Sequence, residues 1–401
     1  MTCIYTIARL TSQRILSLSN EKIGFEVLAI SSALLLVPLV LMTTHAPSAQ
    51  AAIFGVDNRQ LMTPTSPKSV QARATAIAVL NSFDTVRSET DLSKSSSFSS
   101  SATSLLGSVS SFDLAAYPLT SLCKDEKFYS APSLSYSCTG FLVAPDLLVT
   151  AGHCVFAVNS PNQVLKDETE LACKAFDWLF DYQADAKGET QLQNLPLERL
   201  YHCKRIIYAV QHEQAPYDDY ALIQLDRPAL DRTPLKLSTA PLKIDASLFM
   251  IGHPYGVPNV LTDQGRVILN NPARTSFITT LDAFEGNSGS PVLAIDNTVV
   301  GILVGGTPGD NTFRDVITPL THTASNSVVS EGESVTKTCE RFNRCSEDGL
   351  NCKSPDHDTS IYPGFQKTGS EVQRIQPIID LLKNHTPADS NLSSISSPLS
   401  L

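Results

Sequence analysis

Positive charge is scarce in this sequence: 30 Lys and Arg stand against 40 Asp and Glu, a formal net charge of -10. Such a chain repels a polyanion, which excludes nucleic acid as the main partner. Charged residues of both signs make only 17% and apolar residues 42%, the balance of an ordinary globular protein rather than a disordered one. Also missing are an internal repeat, a paired C-x-x-C of the kind that holds zinc, and any histidine cluster at metal-ligand spacing. His202 and His212 lie in polar or Cys-linked surroundings, His253 sits at a turn, and "PDHD" (355 to 358) has too few spaced acids for a calcium loop. No cofactor or metal is implied. At 401 residues the chain has room for one large domain or two smaller ones.

What is there begins with a leader. Arg9, Arg14 and Lys22 precede the apolar run "VLAISSALLLVPLVLM" (27 to 42), and Ala49-Gln50-Ala51 then fits a small-x-small cleavage site. Residues 1–51 read as a secretory signal peptide, with an uncleaved anchor as the alternative. The mature chain is therefore expected to be exported, secreted or periplasmic, with no stable membrane association after cleavage. Removing Cys3 leaves eight cysteines, an even set, and in an exported chain these are expected to form disulfides.

Between 91 and 112 the segment "DLSKSSSFSSSATSLLGSVSSF" is too polar and repetitive to bury a face, and reads as a flexible linker or an inserted loop. Residues 386–401 have the same character and read as a disordered tail. From 138 to about 325 short apolar stretches such as "CTGFLVA", "LLVTAG", "YALIQL" and "TVVGILVGG" alternate with turn residues, Pro145-Asp146 and Asp296-Asn297 among them, a many-stranded β pattern. Only "SEVQRIQPIIDLLKNH" (370 to 385) has helical periodicity, with Ser370 placed as its cap and Pro377 bending it unless the helix starts there. The expected organisation is an N-terminal extension over 52–112, a mostly β domain over 113–385 ending in a helix, and the tail.

The stretch "FEGNSGSPVLA" (284 to 294) sets Ser288 between two glycines. A serine hydroxyl attacks a carbonyl only with a base in hydrogen-bond reach, an acid orienting that base, and donors for the developing oxyanion. The base candidate is His153 in "LLVTAGHCV", beside Cys154; the hairpin turning at Pro145-Asp146 returns Cys154 alongside Cys138, so a disulfide there fixes the histidine backbone. The acid candidate is Asp219, chosen over Asp218, at the start of "DYALIQL". The N–H groups of Gly286 and Ser288 are the candidate oxyanion donors.

The residues "TAGHC", "DYAL" and "GNSGSP", in the chain order His153, Asp219, Ser288, resemble the trypsin-like (chymotrypsin-fold) serine peptidases over roughly residues 113–385. The α/β-hydrolase elbow G-x-S-x-G is absent, since position 290 is Ser. The likeness is nearest to bacterial secreted members with "GNSGSPV", the glutamyl-endopeptidase-like branch, and "IFGVDNR" (53 to 59) resembles the start of such proteins. It implies a double six-stranded β-barrel with the site between barrels, acting on protein or peptide substrates. It also implies that Val304, Gly305 and Gly306 pair with substrate backbone and that Asp282 lies at the base of the primary specificity pocket, with Glu285 near its rim. A carboxylate there favours Lys or Arg side chains; the other reading is that Asp282 hydrogen-bonds backbone. Asn287 replaces the aspartate of typical zymogens, and Leu303 stands where glutamate-specific members have histidine. Cys173 and Cys203 bracket "FDWLFDY" and are expected to pair, leaving Cys123, Cys339, Cys345 and Cys352 with three possible pairings. Residues 53–90 are either a first strand, making the Ser-rich stretch an insertion, or a propeptide. Two further readings use the same residues: a non-catalytic binding protein on this fold, and an esterase with the same triad.

Overall fold

A computed structural model of the chain describes residues 52–82, 86–87, 111–134, 138–156, 163–170, 172–212, 217–306, 312–316, 338–352 and 367–384. All of them fall in the unit His45–Leu401. The signal peptide, most of the Ser-rich stretch and the tail lie outside the described residues. Among the described residues no helix is long and apolar enough to cross a membrane.

Strands dominate, and they close two rings of six. In the first, Asp219–Leu225, Leu147–Thr150, Thr139–Ala144, Ile77–Ser82, Phe176–Phe180 and Leu200–Gln211 follow one another, and the last pairs back onto the first. In the second, Ser247–Gly252, Pro291–Ala294, Val299–Gly306, Ser370–Arg374, Ser276–Thr279 and Val260–Leu269 close in the same way. Gln163–Glu168 pairs with residues 206–211 of Leu200–Gln211, past the stretch bonded to Phe176–Phe180, and Gln60–Leu61 pairs with Val260 and Leu261. This is the mostly β, chymotrypsin-like double barrel. Closure removes the exposed strand edges that an open sheet would leave. Inward side chains fill each barrel: Phe141, Leu148, Trp178 and Ile223 in the first, Met250, Val267, Phe277 and Val372 in the second, each at most 1% exposed. Burying Phe141 alone contributes about 2 to 3 kcal/mol.

Three expectations change. Residues 52–82, set apart above from a domain starting at 113, are woven into both barrels: Ile77–Ser82 pairs with Thr139–Phe141 and with Phe176–Phe180. The Ser-rich stretch therefore interrupts the folded body, and its flanks Val86–Arg87 and Ser111–Leu114 pair with each other. The helix covers only Gln376–Asn384, with Pro377 in its first turn, where a missing N–H costs nothing. Ser370–Arg374 is a strand hydrogen-bonded on both sides, and that central position overrides the helical spacing. A second helix, Lys68–Ala74, follows Pro67 and carries no strong apolar period. The disulfides are Cys138–Cys154, Cys173–Cys203, Cys123–Cys339 and Cys345–Cys352, which fixes the pairing left open.

Candidate active site

His153 lies in a single turn, Gly152–Cys154, immediately after the strand Leu147–Thr150, and the Cys138–Cys154 bridge ties that turn to the neighbouring strand. Asp219 opens the next strand of the barrel. Its carboxylate takes the His153 backbone N–H at Oδ1 (2.8 Å) and meets His153 Nδ1 at Oδ2 (2.6 Å). Two contacts from one carboxylate fix both the backbone and the ring. Burial works to lower the His153 pKa, but the charge of Asp219 and its hydrogen bond outweigh it, so the net shift is upward from 6.5. Nδ1–H towards Asp219 leaves Nε2 as the lone-pair nitrogen on the cleft side.

Ser288 comes from the second barrel, in the turn before Pro291–Ala294, and is 4% exposed. The turn is built by backbone: Asn287 N donates to Phe284 O (3.0 Å), and Ser290 N to Asn287 O (2.8 Å). Gly286 and Gly289 both have φ +88, and side chains there would strike backbone, since an added Cβ would lie 2.4 Å from His253 O at Gly286 and 1.9 Å from Thr139 O at Gly289. Among the described residues the Gly286 and Ser288 amides have no acceptor, so two N–H groups stay available for a substrate oxygen. The first barrel grips this turn. Thr139 N donates to Ser288 O (2.7 Å), Thr139 Oγ1 to Gly286 O (2.9 Å), and Cys154 Sγ lies 3.8 Å from Ser288 O. The turn and the His153 segment are thereby brought together across the barrel junction.

Two residues at the site carry no sequence motif. Thr139 also accepts the His253 N–H at 3.0 Å, so one buried hydroxyl of the first barrel holds two segments of the second. Gln373, from the second barrel and 0% exposed, accepts the Asp219 N–H through Oε1 (3.2 Å) and donates Nε2 to Thr275 O (3.1 Å). Gln373 thus backs the acid from the opposite barrel. His253 is fully buried with Nδ1 3.0 Å from Val257 O; burial pushes its pKa down to about 4, so it stays neutral and packs on Tyr182. The one His, Cys and acid grouping compact enough for a metal among the described residues is Cys138, His153 and Cys154, and its sulfurs are bonded to each other.

The remaining expected residues fall as follows. Val304, Gly305 and Gly306 end the strand Val299–Gly306; Gly305 and Gly306 pair on one side with Glu371 and Ser370, and an added Cβ at Gly305 would meet nothing within 4 Å. Ladder pairing on the other side stops at Ile302, leaving that edge of 304–306 open among the described residues. Glu285 is exposed. Asp282 is only 1% exposed; its Oδ1 accepts the Phe54 backbone N–H at 2.7 Å, and burial pushes its carboxyl pKa up to about 7.

Residues 138–302 match a family model described as the trypsin-like peptidase domain. Solved structures similar to the chain include the active form of the Rv3671c protease from M. tuberculosis (14% identity, 61% of this chain and 79% of that one, TM-score 0.31). Others are a Glu endopeptidase in complex with MPD (16%, 63% and 86%, TM-score 0.33) and the serine endoprotease from Yersinia pestis (12%, 59% and 56%, TM-score 0.33). No curated protein is similar enough to count as a match. The span similar to a trypsin-like peptidase domain includes His153, Asp219 and Ser288.

Proposed function

We propose that the protein is an exported serine endopeptidase using Ser288, His153 and Asp219. The Ser288 hydroxyl attacks a peptide carbonyl carbon while His153 Nε2 takes its proton. The carbonyl oxygen, now anionic, receives the Gly286 and Ser288 amides. His153 returns the proton to the departing amine as the C–N bond breaks, leaving an acyl ester on Ser288. Water, deprotonated by the same imidazole, cleaves that ester and restores the hydroxyl. Asp219 stabilises the imidazolium and holds its orientation throughout. Val304–Gly306, with one open edge, would take the substrate as an added strand.

The observation that carries this reading is the double contact of Asp219 on His153 beside a turn whose Gly286 and Ser288 amides have no acceptor among the described residues. Four disulfides support an oxidising destination. The test is incubation of the disulfide-bonded protein with a fluorophosphonate probe, beside Ser288→Ala, with mass spectrometry of products cut from a peptide library. Labelling and cleavage lost together in Ser288→Ala are expected; a folded wild type that takes no probe overturns the reading. An exclusive Lys or Arg preference would require Asp282 to face the substrate.

A further inference from the structure

Residues 52–62 run as a strap behind the segment that ends in Ser288. Ile53 N donates to Asn343 O (2.8 Å) and Gly55 N to Cys345 O (3.0 Å), while Phe54 N, on the opposite side of the strand, donates to Asp282 Oδ1 (2.7 Å). Asp282 Oδ2 has no hydrogen-bond partner among the described residues. Further along, Arg59 inserts a fully buried guanidinium whose centre lies 4.5 Å from the Phe284 ring, 4.4 Å from Phe342 and 5.2 Å from Phe128. Asp57 takes its Nε and Nη2 at 2.9 and 2.8 Å, and Lys127 Nζ donates to the carbonyls of Asp57 and Arg59 at 2.6 and 2.9 Å. A guanidinium removed from water is costly unless paired, and here a carboxylate and three ring faces replace the solvent.

Both contacts fall on the approach to Ser288. Phe284 O is the acceptor that fixes Asn287 N, between the two oxyanion amides, and Tyr255, stacked on Phe284, donates its backbone N–H to Glu285 O. Asp282 sets where that approach begins. Asp282 is 1% exposed and one of its two oxygens is already taken by the strap's Phe54 amide, which argues against a substrate cation as its partner.

We propose that Asp282 and Arg59 are positioning residues that latch the strap to residues 282–288, holding the Gly286 and Ser288 amides on the oxyanion, and that Asp282 does not read substrate charge. The proposal rests on the serine peptidase reading above.

Four variants test it, each assayed well below its own unfolding temperature: Asp282→Ala, Asp282→Asn, Arg59→Met and Arg59→Lys. With the fluorophosphonate probe, Asp282→Ala and Arg59→Met are expected to lower the saturating labelling rate roughly 10- to 100-fold, while the half-saturating concentration moves less than about twofold. Asp282→Asn keeps an oxygen for Phe54 N and is expected within about threefold of wild type. On peptides differing only in the residue before the cut, its order of preference is expected to match wild type. Selective loss of Lys and Arg cleavage in Asp282→Asn overturns the proposal, as does a folded Asp282→Ala with the wild-type saturating rate. Should Asp282→Ala or Arg59→Met fail to fold, Arg59→Lys, which keeps the charge and loses the flat stack, must show the same pattern at smaller size; a wild-type rate there also overturns it. Wild type inert to the probe would instead sink the peptidase reading itself.

Discussion

Asp219→Asn isolates what one carboxylate does for His153. The side chain keeps its size and can still accept the backbone N–H, but it no longer holds the imidazolium. Activity on peptides is expected to fall about 10³- to 10⁴-fold at neutral pH. The acid limb of the pH profile gives the sign. In the proposed mechanism His153 acts as the neutral imidazole, and Asp219 holds its pKa above 6.5, so wild-type activity is expected to fall as pH drops through a value above 6.5. Without that charge the limb moves to lower pH even as the plateau drops. A limb that stays in place in Asp219→Asn would show that another group sets it. His153, Asp219 and Ser288 could be nominated from the sequence because each sits in a short motif whose chemistry is local, and the structure brings the first two into contact. Thr139 and Gln373 could not be: each acts on a partner more than a hundred positions away, and a lone threonine or glutamine in a strand has no pattern.

At the level of elements, the hairpin Thr139–Thr150 leads into the turn that holds His153 and is stapled across its open end by Cys138–Cys154. Replacing both cysteines by serine removes a cross-link spanning 16 positions, a loss of about 3 kcal/mol in the chain-entropy description. Because the same turn holds His153, activity is expected to fall more steeply with temperature than the unfolding curve alone predicts. Calorimetry beside probe labelling across temperature checks this, and parallel losses would mean that the bridge stabilises the fold without positioning His153. The hairpin itself was legible from alternating apolar runs around Pro145-Asp146. The stretch from 370 was misread because Val372 and Ile375 suit either a helical stripe or a buried strand; only pairing to residues near 276 and 301 decides it.

Across the whole molecule, two barrels were legible only through the resemblance, since short apolar runs and turns specify strands without saying which ones close a ring. The strap and Ile77–Ser82 were obscured by the serine-rich segment that separates them from the later strands. That segment begins and ends beside a two-strand ladder in which Arg87 and Asp113 are register partners. Replacing residues 88–110 with a short Gly-Ser link should preserve the unfolding temperature or raise it slightly, because closing a shorter loop costs less entropy, and should leave probe labelling unchanged. A lowered unfolding temperature would mean the segment packs on the barrel. Because Val86–Arg87 and Ser111–Leu114 pair with each other, a domain inserted between positions 88 and 110 would hang from two neighbouring strands, and both barrels are expected to keep their strand registers.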